Sequence, residues 1–222
     1  MPLTVPKSAR LQDPGAEILD RAGVFWDRYG RIVLGVLGVI VAGGAIAFLT
    51  LRARAAAEED AAGKLAEANV LYWQGDYSRS LEMAKQIAQQ FSSTPSGLEA
   101  HRLAGDNAYW DGDFKTAVAE YRAYLAKQKK GLLADAARRS LGYALESAKQ
   151  YPEAASTYES LVGVFDRESS AEFLAAAARC YRAQNQPAEA AKRLQRLVDE
   201  FGETSYANPA RIELAELTTP VH

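Results

Sequence analysis

The chain has 222 residues, with 26 Lys and Arg against 28 Asp and Glu and a formal net charge of −2. A balance this even excludes the basic stripe of a nucleic-acid binder and the acidic tract of a solvating segment. One cysteine, Cys180, excludes an internal disulfide framework, and two histidines, His101 and His222, are too few for a histidine-rich metal site.

Residues 1–14 contain three prolines and no apolar period, which predicts a flexible tail. Over residues 15–30, Ile18, Leu19, Ala22, Phe25, Trp26 and Tyr29 share one helical face, and Asp20, Arg21, Asp27 and Arg28 fall largely on the other. The pattern predicts a short amphipathic helix at a membrane interface, anchored by Trp26 and Tyr29, with Gly30 as a bend.

Residues 32–51, IVLGVLGVIVAGGAIAFLTL, hold no charged side chain over twenty positions. As a helix they extend about 30 Å, the thickness of a bilayer's hydrocarbon core. The run is longer than a signal peptide's apolar region and begins some thirty residues into the chain, so an uncleaved span over 31–52 is expected. Gly35, Gly38, Ala42 and Ala45 form a stripe of small residues on which a partner helix could approach closely. Lys7, Arg10, Arg21, Arg28 and Arg31 precede the run, whereas Arg52, Arg54 and Lys64 follow it among Glu58, Glu59 and Asp60. That bias predicts a cytoplasmic N-terminus and places the larger part outside, in the periplasm if the membrane is a bacterial inner one. The stretch after Leu51 has no proline, so the span is expected to run on into the next domain with little break.

The remainder repeats. GDY at 75–77, GDF at 112–114, KQY at 149–151 and NQP at 185–187 stand 37, 37 and 36 residues apart. Seven residues before each motif lies Ala68, Gly105, Gly142 or Ala178, and five residues after its start Ser80, Ala117, Ala154 or Ala190. Then come Ala84, Tyr121, Tyr158 or Leu194, followed by Ile87, Tyr124, Leu161 or Leu197. Small residues facing one another let two antiparallel helices approach, and the larger ones fill the space beside them.

Segments such as LAGDNAYWDGDFKTAVAEYRAYL and LGYALESAKQYPEAASTYESLV resemble the tetratricopeptide-repeat family's helix–turn–helix unit. The resemblance covers residues 61–217. It departs from the family where the early Trp is replaced by Lys64, His101, Arg138 and Leu174, and where Ser80 stands for the usual Ala. Linkers such as FSSTPSG, KQKKG and FDRESS stretch the period beyond the usual one. The resemblance implies an all-α protein in which the span precedes an α-solenoid over 53–217. Its repeats are expected at 61–97, 98–134, 135–170 and 171–204, with a capping helix over 205–217 and a tail over 218–222. A short helix, one span and a repeat domain together resemble the ancillary subunit of the bacterial secretory translocon.

No catalytic constellation or cofactor site is expected. Gly43 and Gly44 fall inside the apolar run rather than in a phosphate loop, and Cys180 among AAAARCYRA is read as a small packed thiol. Carboxylates such as Glu120 are read as solvated helix positions. By the family's pattern the first helices line a protein-binding groove. It would carry Asn69, Tyr72 and Trp73 from repeat one, Arg102, Asp106, Tyr109 and Trp110 from repeat two, and Arg139, Tyr143, Glu146, Arg179 and Arg182 beyond. Aromatics and Arg are the types enriched at binding hot spots, although Trp73 and Trp110 could equally pack on the next repeat. The Lys and Asn pairing with which some relatives capture a C-terminal carboxylate is not reproduced. The expected function is a non-catalytic scaffold or accessory subunit at an inner-membrane complex, with protein subunits and the lipid bilayer as partners and no nucleic acid or small-molecule substrate. The alternative is a periplasmic chaperone or envelope-assembly adaptor that holds clients transiently.

Overall fold

The computed structural model describes residues 14–219, so the expected tails over 1–14 and 218–222 lie outside it except for Pro14, Thr218 and Thr219; Pro14 and Thr218 are the end residues of helices. Among the described residues there are nine helices and no strand: α1 (Pro14–Trp73), α2 (Tyr77–Gln90), α3 (Pro95–Trp110), α4 (Phe114–Lys127), α5 (Leu132–Ser147), α6 (Tyr151–Leu161), α7 (Arg167–Ala183), α8 (Pro187–Glu200) and α9 (Ala207–Thr218). They divide into two compact units, Met1–Ala55 and Ala56–His222.

In the first unit the described residues form part of α1, which opens on Pro14 and meets no further proline before Pro95. The helix continues without interruption through Gly30, where a bend was expected. Glycine only weakens a helix interior, and here the Trp26 indole lies over the position, 3.3 Å from where a Cβ would stand. The apolar window of α1 is long enough to cross a bilayer and none of it is buried within the protein. Phe25 and Tyr29 touch one turn apart, with ring centroids 5.2 Å apart. The space around Gly35 and Gly38 is open to 4 Å.

The second unit is a stack of helix pairs: the end of α1 with α2, then α3 with α4, α5 with α6, α7 with α8, and α9 last. The turn inside each pair is set by one residue with positive φ: Gly75 (81°), Gly112 (83°), Lys149 (60°) and Asn185 (58°). These are the first residues of the four repeated motifs. In that left-handed conformation the next amide reaches back to the closing helix, as in Asp76 N–H to Leu71 O (3.0 Å) and Gln186 N–H to Tyr181 O (2.9 Å).

The crossings follow the small-residue pattern. All sixteen positions of that pattern are buried. Added Cβ atoms at Gly105 and Gly142 would lie 2.7 Å from Tyr121 Cδ1 and 2.8 Å from Tyr158 Cε1, so each glycine makes room for the facing ring. Where the small residue is alanine, its partner is smaller: Ala68 goes with Ala84, and Ala178 with Leu194. Ser80, the departure in repeat one, is satisfied by donating its hydroxyl to Ala68 O at 2.7 Å.

The first helices of repeats two to four start at Pro95, Leu132 and Arg167, ahead of the expected boundaries at 98, 135 and 171. Local chemistry explains two of the three. Thr94 caps the Gly97 amide with Pro95 at the first turn, and Asp166 caps the Ser169 amide. The capping helix is α9, whose Ala207 and Ala210 are buried beside Leu194, Leu197 and Phe201.

Candidate protein-interaction surface

The residues expected to line a groove lie on the first helix of each pair, and the structure places most of them in contacts between repeats. Arg102 Nη1 donates to Asp106 at 2.7 Å, and Arg102 Nε to Glu99. The Tyr121 hydroxyl, coming over Gly105, donates to the other oxygen of Asp106 at 2.7 Å. Burial raises the Asp106 carboxyl above its ordinary range, although Arg102 and Tyr121 oppose the rise. Burial, with Asp106 beside it, also pushes the Tyr121 hydroxyl upward.

Further along, ion pairs join one first helix to the next. Arg139 on α5 donates to its own Tyr143 (2.8 Å) and faces Glu172 on α7 (3.5 Å); the Tyr143 hydroxyl donates to Glu172 at 2.5 Å. Burial and then Glu172 push the Tyr143 hydroxyl up to about 12. Glu146 on α5 accepts from Tyr158 (2.8 Å) and from both Nε and Nη2 of Arg179 on α7 (3.1 and 3.2 Å). Arg182 on α7 donates to Glu213 on α9 at 2.7 Å. Asn69 turns back on its own helix, donating to Leu65 O at 2.8 Å. The four groove arginines therefore have carboxylate partners inside the fold. Sequence reasoning named them but missed Glu172 and Glu213, whose only signal was a spacing of 33 and 31 residues from their arginines.

The aromatics are arranged differently. The Trp110 indole N–H donates to the Tyr72 hydroxyl at 3.1 Å, and Trp110 stacks on Tyr77 at 6.3 Å. Tyr72 meets Tyr77 and Trp73 edge-on, and Tyr109 lies against Phe114 and Trp110. Trp110 thus packs between repeats while remaining 59% exposed, and Trp73 is 82% exposed. Both stand two residues before the turn glycine of their repeat, so they share one edge. Tyr77 and Phe114, the third residues of the GDY and GDF motifs, complete the cluster; their place in the repeat was legible, their contacts were not.

Other readings of single residues divide. Cys180 is buried, and burial followed by the charge of Glu146 pushes its thiol up to about 12, which suits a packed thiol rather than a nucleophile. Glu120 is not solvated as expected: it is half-buried, 2.7 Å from His101 Nδ1. Among the described residues no group of three or more His, Cys, Asp or Glu is placed to hold a metal ion.

Two tetratricopeptide-repeat family models match this sequence, one over residues 65–131 and again over 102–172, the other over 176–204, together more than half of the chain. The chain belongs to the tetratricopeptide-repeat family. Its fold is that of a scaffold suited to protein–protein interaction. No curated protein matches the sequence. Among solved structures it is similar to the nearly identical TPR-like repeats from Podosopora anserina, with TM-score 0.55 and 22% identity over 70% of this chain and 83% of that one. A tetratricopeptide repeat protein from Parabacteroides merdae aligns with TM-score 0.59 and 13% identity, over 72% and 60%. MamA from Desulfovibrio magneticus aligns with TM-score 0.53 and 17% identity, over 71% and 92%. At these identities the likeness concerns the fold alone.

Proposed function

We propose that this chain is a membrane-anchored, non-catalytic scaffold, an accessory subunit that holds a protein partner at a bacterial inner-membrane complex of the translocon, respiratory or photosynthetic type. In this reading residues 32–51 cross the membrane, with Trp26 and Tyr29 at its interface, the N-terminus cytoplasmic and the repeats periplasmic. The stripe of Gly35, Gly38, Ala42 and Ala45 packs against a helix of the partner complex. The unburied apolar window of α1 supports the anchor, and the flanking charge bias supports the orientation.

The observation that carries the binding role is the pair Trp73 and Trp110, exposed at equivalent positions of adjacent repeats while the groove arginines are already paired. Rigid aromatic side chains with a polar tip are the commonest anchors of protein interfaces. Purification of the full chain in mild detergent tests the reading. One membrane complex should co-purify in fixed stoichiometry, and Trp73→Ala with Trp110→Ala should deplete it. A heterogeneous set of unfolded clients would favour the chaperone or adaptor instead. A reporter active only in the periplasm, fused after His222, tests the orientation independently.

A further inference from the structure

The edge of the repeat unit opposite the tryptophans has another chemistry. It is built from the connections α2–α3, α4–α5, α6–α7 and α8–α9 and from the start of the unit near Ala56. Hydrogen bonds tie it together: the Ser96 hydroxyl and amide donate to Glu58 (2.7 and 3.1 Å), Lys127 Nζ donates to Ser92 O (2.9 Å), and the Ser205 amide donates to Glu168 (3.1 Å). From this edge the 128–131 loop and the helix ends that flank it present Lys127, Lys129, Lys130, Leu132 and Leu133. Its backbone is held by Gln128 Nε2 to Lys130 O (2.8 Å), by Arg138 on Lys129 O, and by Gly131 at φ 100°.

We propose that this loop seats the edge on an anionic lipid surface, a reading that rests on the membrane anchor argued above. Leu132 and Leu133 are 75% and 57% exposed, two adjacent apolar side chains at the start of α5. Lys129 and Lys130 form no ion pair among the described residues. Of the acids on this edge, Asp135 pairs with Arg138 and Glu203 with Arg167, whereas Glu58, Asp166 and Glu168 accept from neutral donors and keep their charge, so the cationic excess is local to this loop. An apolar tip rimmed by cations matches a bilayer interface, where leucines reach the acyl boundary and ammonium groups meet anionic headgroups. Lysine is depleted from protein interfaces and aromatics are enriched, so the two edges differ in the kind of partner they fit. Four residues lie between Leu51 and Ala56, so the end of the apolar run and the start of this edge are at most about 18 Å apart along the chain.

The test uses the full chain in lipid nanodiscs, with Leu132→Cys carrying an environment-sensitive fluorophore; Cys180 is buried and stays unlabelled. Nitroxide-labelled lipid should quench the probe in discs containing phosphatidylglycerol. Quenching should fall in discs of phosphatidylcholine alone, and should be lost with Lys129→Glu and Lys130→Glu. Absence of quenching, equal quenching in both lipids, or protection of the probe only by a co-purified protein would overturn the proposal. Carbonate extraction separates the two levels: a chain that stays integral without quenching defeats the lipid contact alone. A chain released by carbonate defeats the anchor and this proposal with it.

Discussion

Repeats one and two and repeats three and four build the same helix pair from different local physics. The first two turn on Gly75-Asp76 and Gly112-Asp113, where glycine takes the left-handed conformation without strain and Asp caps the next helix through the Arg79 or Thr116 amide. The last two turn on Lys149-Gln150 and Asn185-Gln186, with a side chain in the left-handed region and no side-chain cap. The seams between repeats differ in the same sense. Aromatic rings join the first two repeats; between the third and fourth Tyr158 also stacks on Phe173, but there and at the cap Arg–Glu pairs are added. What the halves share is the small-residue crossing, so close helix approach defines the repeat and turn and seam chemistry are replaceable.

The largest effect should come from breaking the shared feature. Gly142→Leu puts a side chain where even a Cβ would stand 2.8 Å from Tyr158, and should destabilise the Ala56–His222 unit by about 1–3 kcal/mol or more in urea unfolding. Gly142→Ala with Tyr158→Leu recreates the Ala178/Leu194 pairing of repeat four. A double-mutant cycle should therefore give a favourable coupling of about 0.5–3 kcal/mol. Additive effects would show that the pairing does not explain the crossing.

The seams come next. Tyr158→Phe removes a donor to Glu146 and should cost about 1 kcal/mol. Removing Arg179, which is half-exposed, should cost at most about 1 kcal/mol, and the loss should shrink in high salt. Trp110→Phe at the aromatic seam should show a loss that salt leaves unchanged. Equal salt dependence at both seams would erase the distinction.

Grafting the first turn chemistry onto the third repeat should stabilise it. Lys149→Gly relieves a side chain in the left-handed region, for a gain of about 1 kcal/mol, and Gln150→Asp supplies a cap worth a similar amount. The reverse change, Gly112→Ala, should lose about 1 kcal/mol. Melting temperatures of the three variants decide the matter.

The smallest effect is the pH dependence of a turn cap, which among the four turns only the Gly-Asp turns of the first half can supply. Hydrogen bonds from Thr116 hold the Asp113 carboxyl below its ordinary value of 3.8. A folded pKa below the unfolded one contributes stability that is fully present above the unfolded value, near pH 4, and is lost as pH falls through the folded value. Asp113→Asn should flatten that part of the stability curve, and Gln150→Asp should add a matching one. No change in slope between pH 5 and 2 for either variant would remove the cap from the account.

Much of this was legible in the chain because it depends on neighbours within a helical turn or two. The period, the small crossing residues and the turn residues at 75, 112, 149 and 185 are local or near-local, and sterics alone assign them. The apolar run from 32 to 51 is likewise a matter of length and composition. The smooth passage of α1 through Gly30 was not legible, because a glycine in a helix is a weak signal that either outcome tolerates. Nor was the state of the groove. Whether Arg139, Arg179 and Arg182 face a partner or face Glu172, Glu146 and Glu213 depends on how far each repeat rises and rotates upon the last. That offset brings together side chains some thirty residues apart, and only the packed stack of helices decides it.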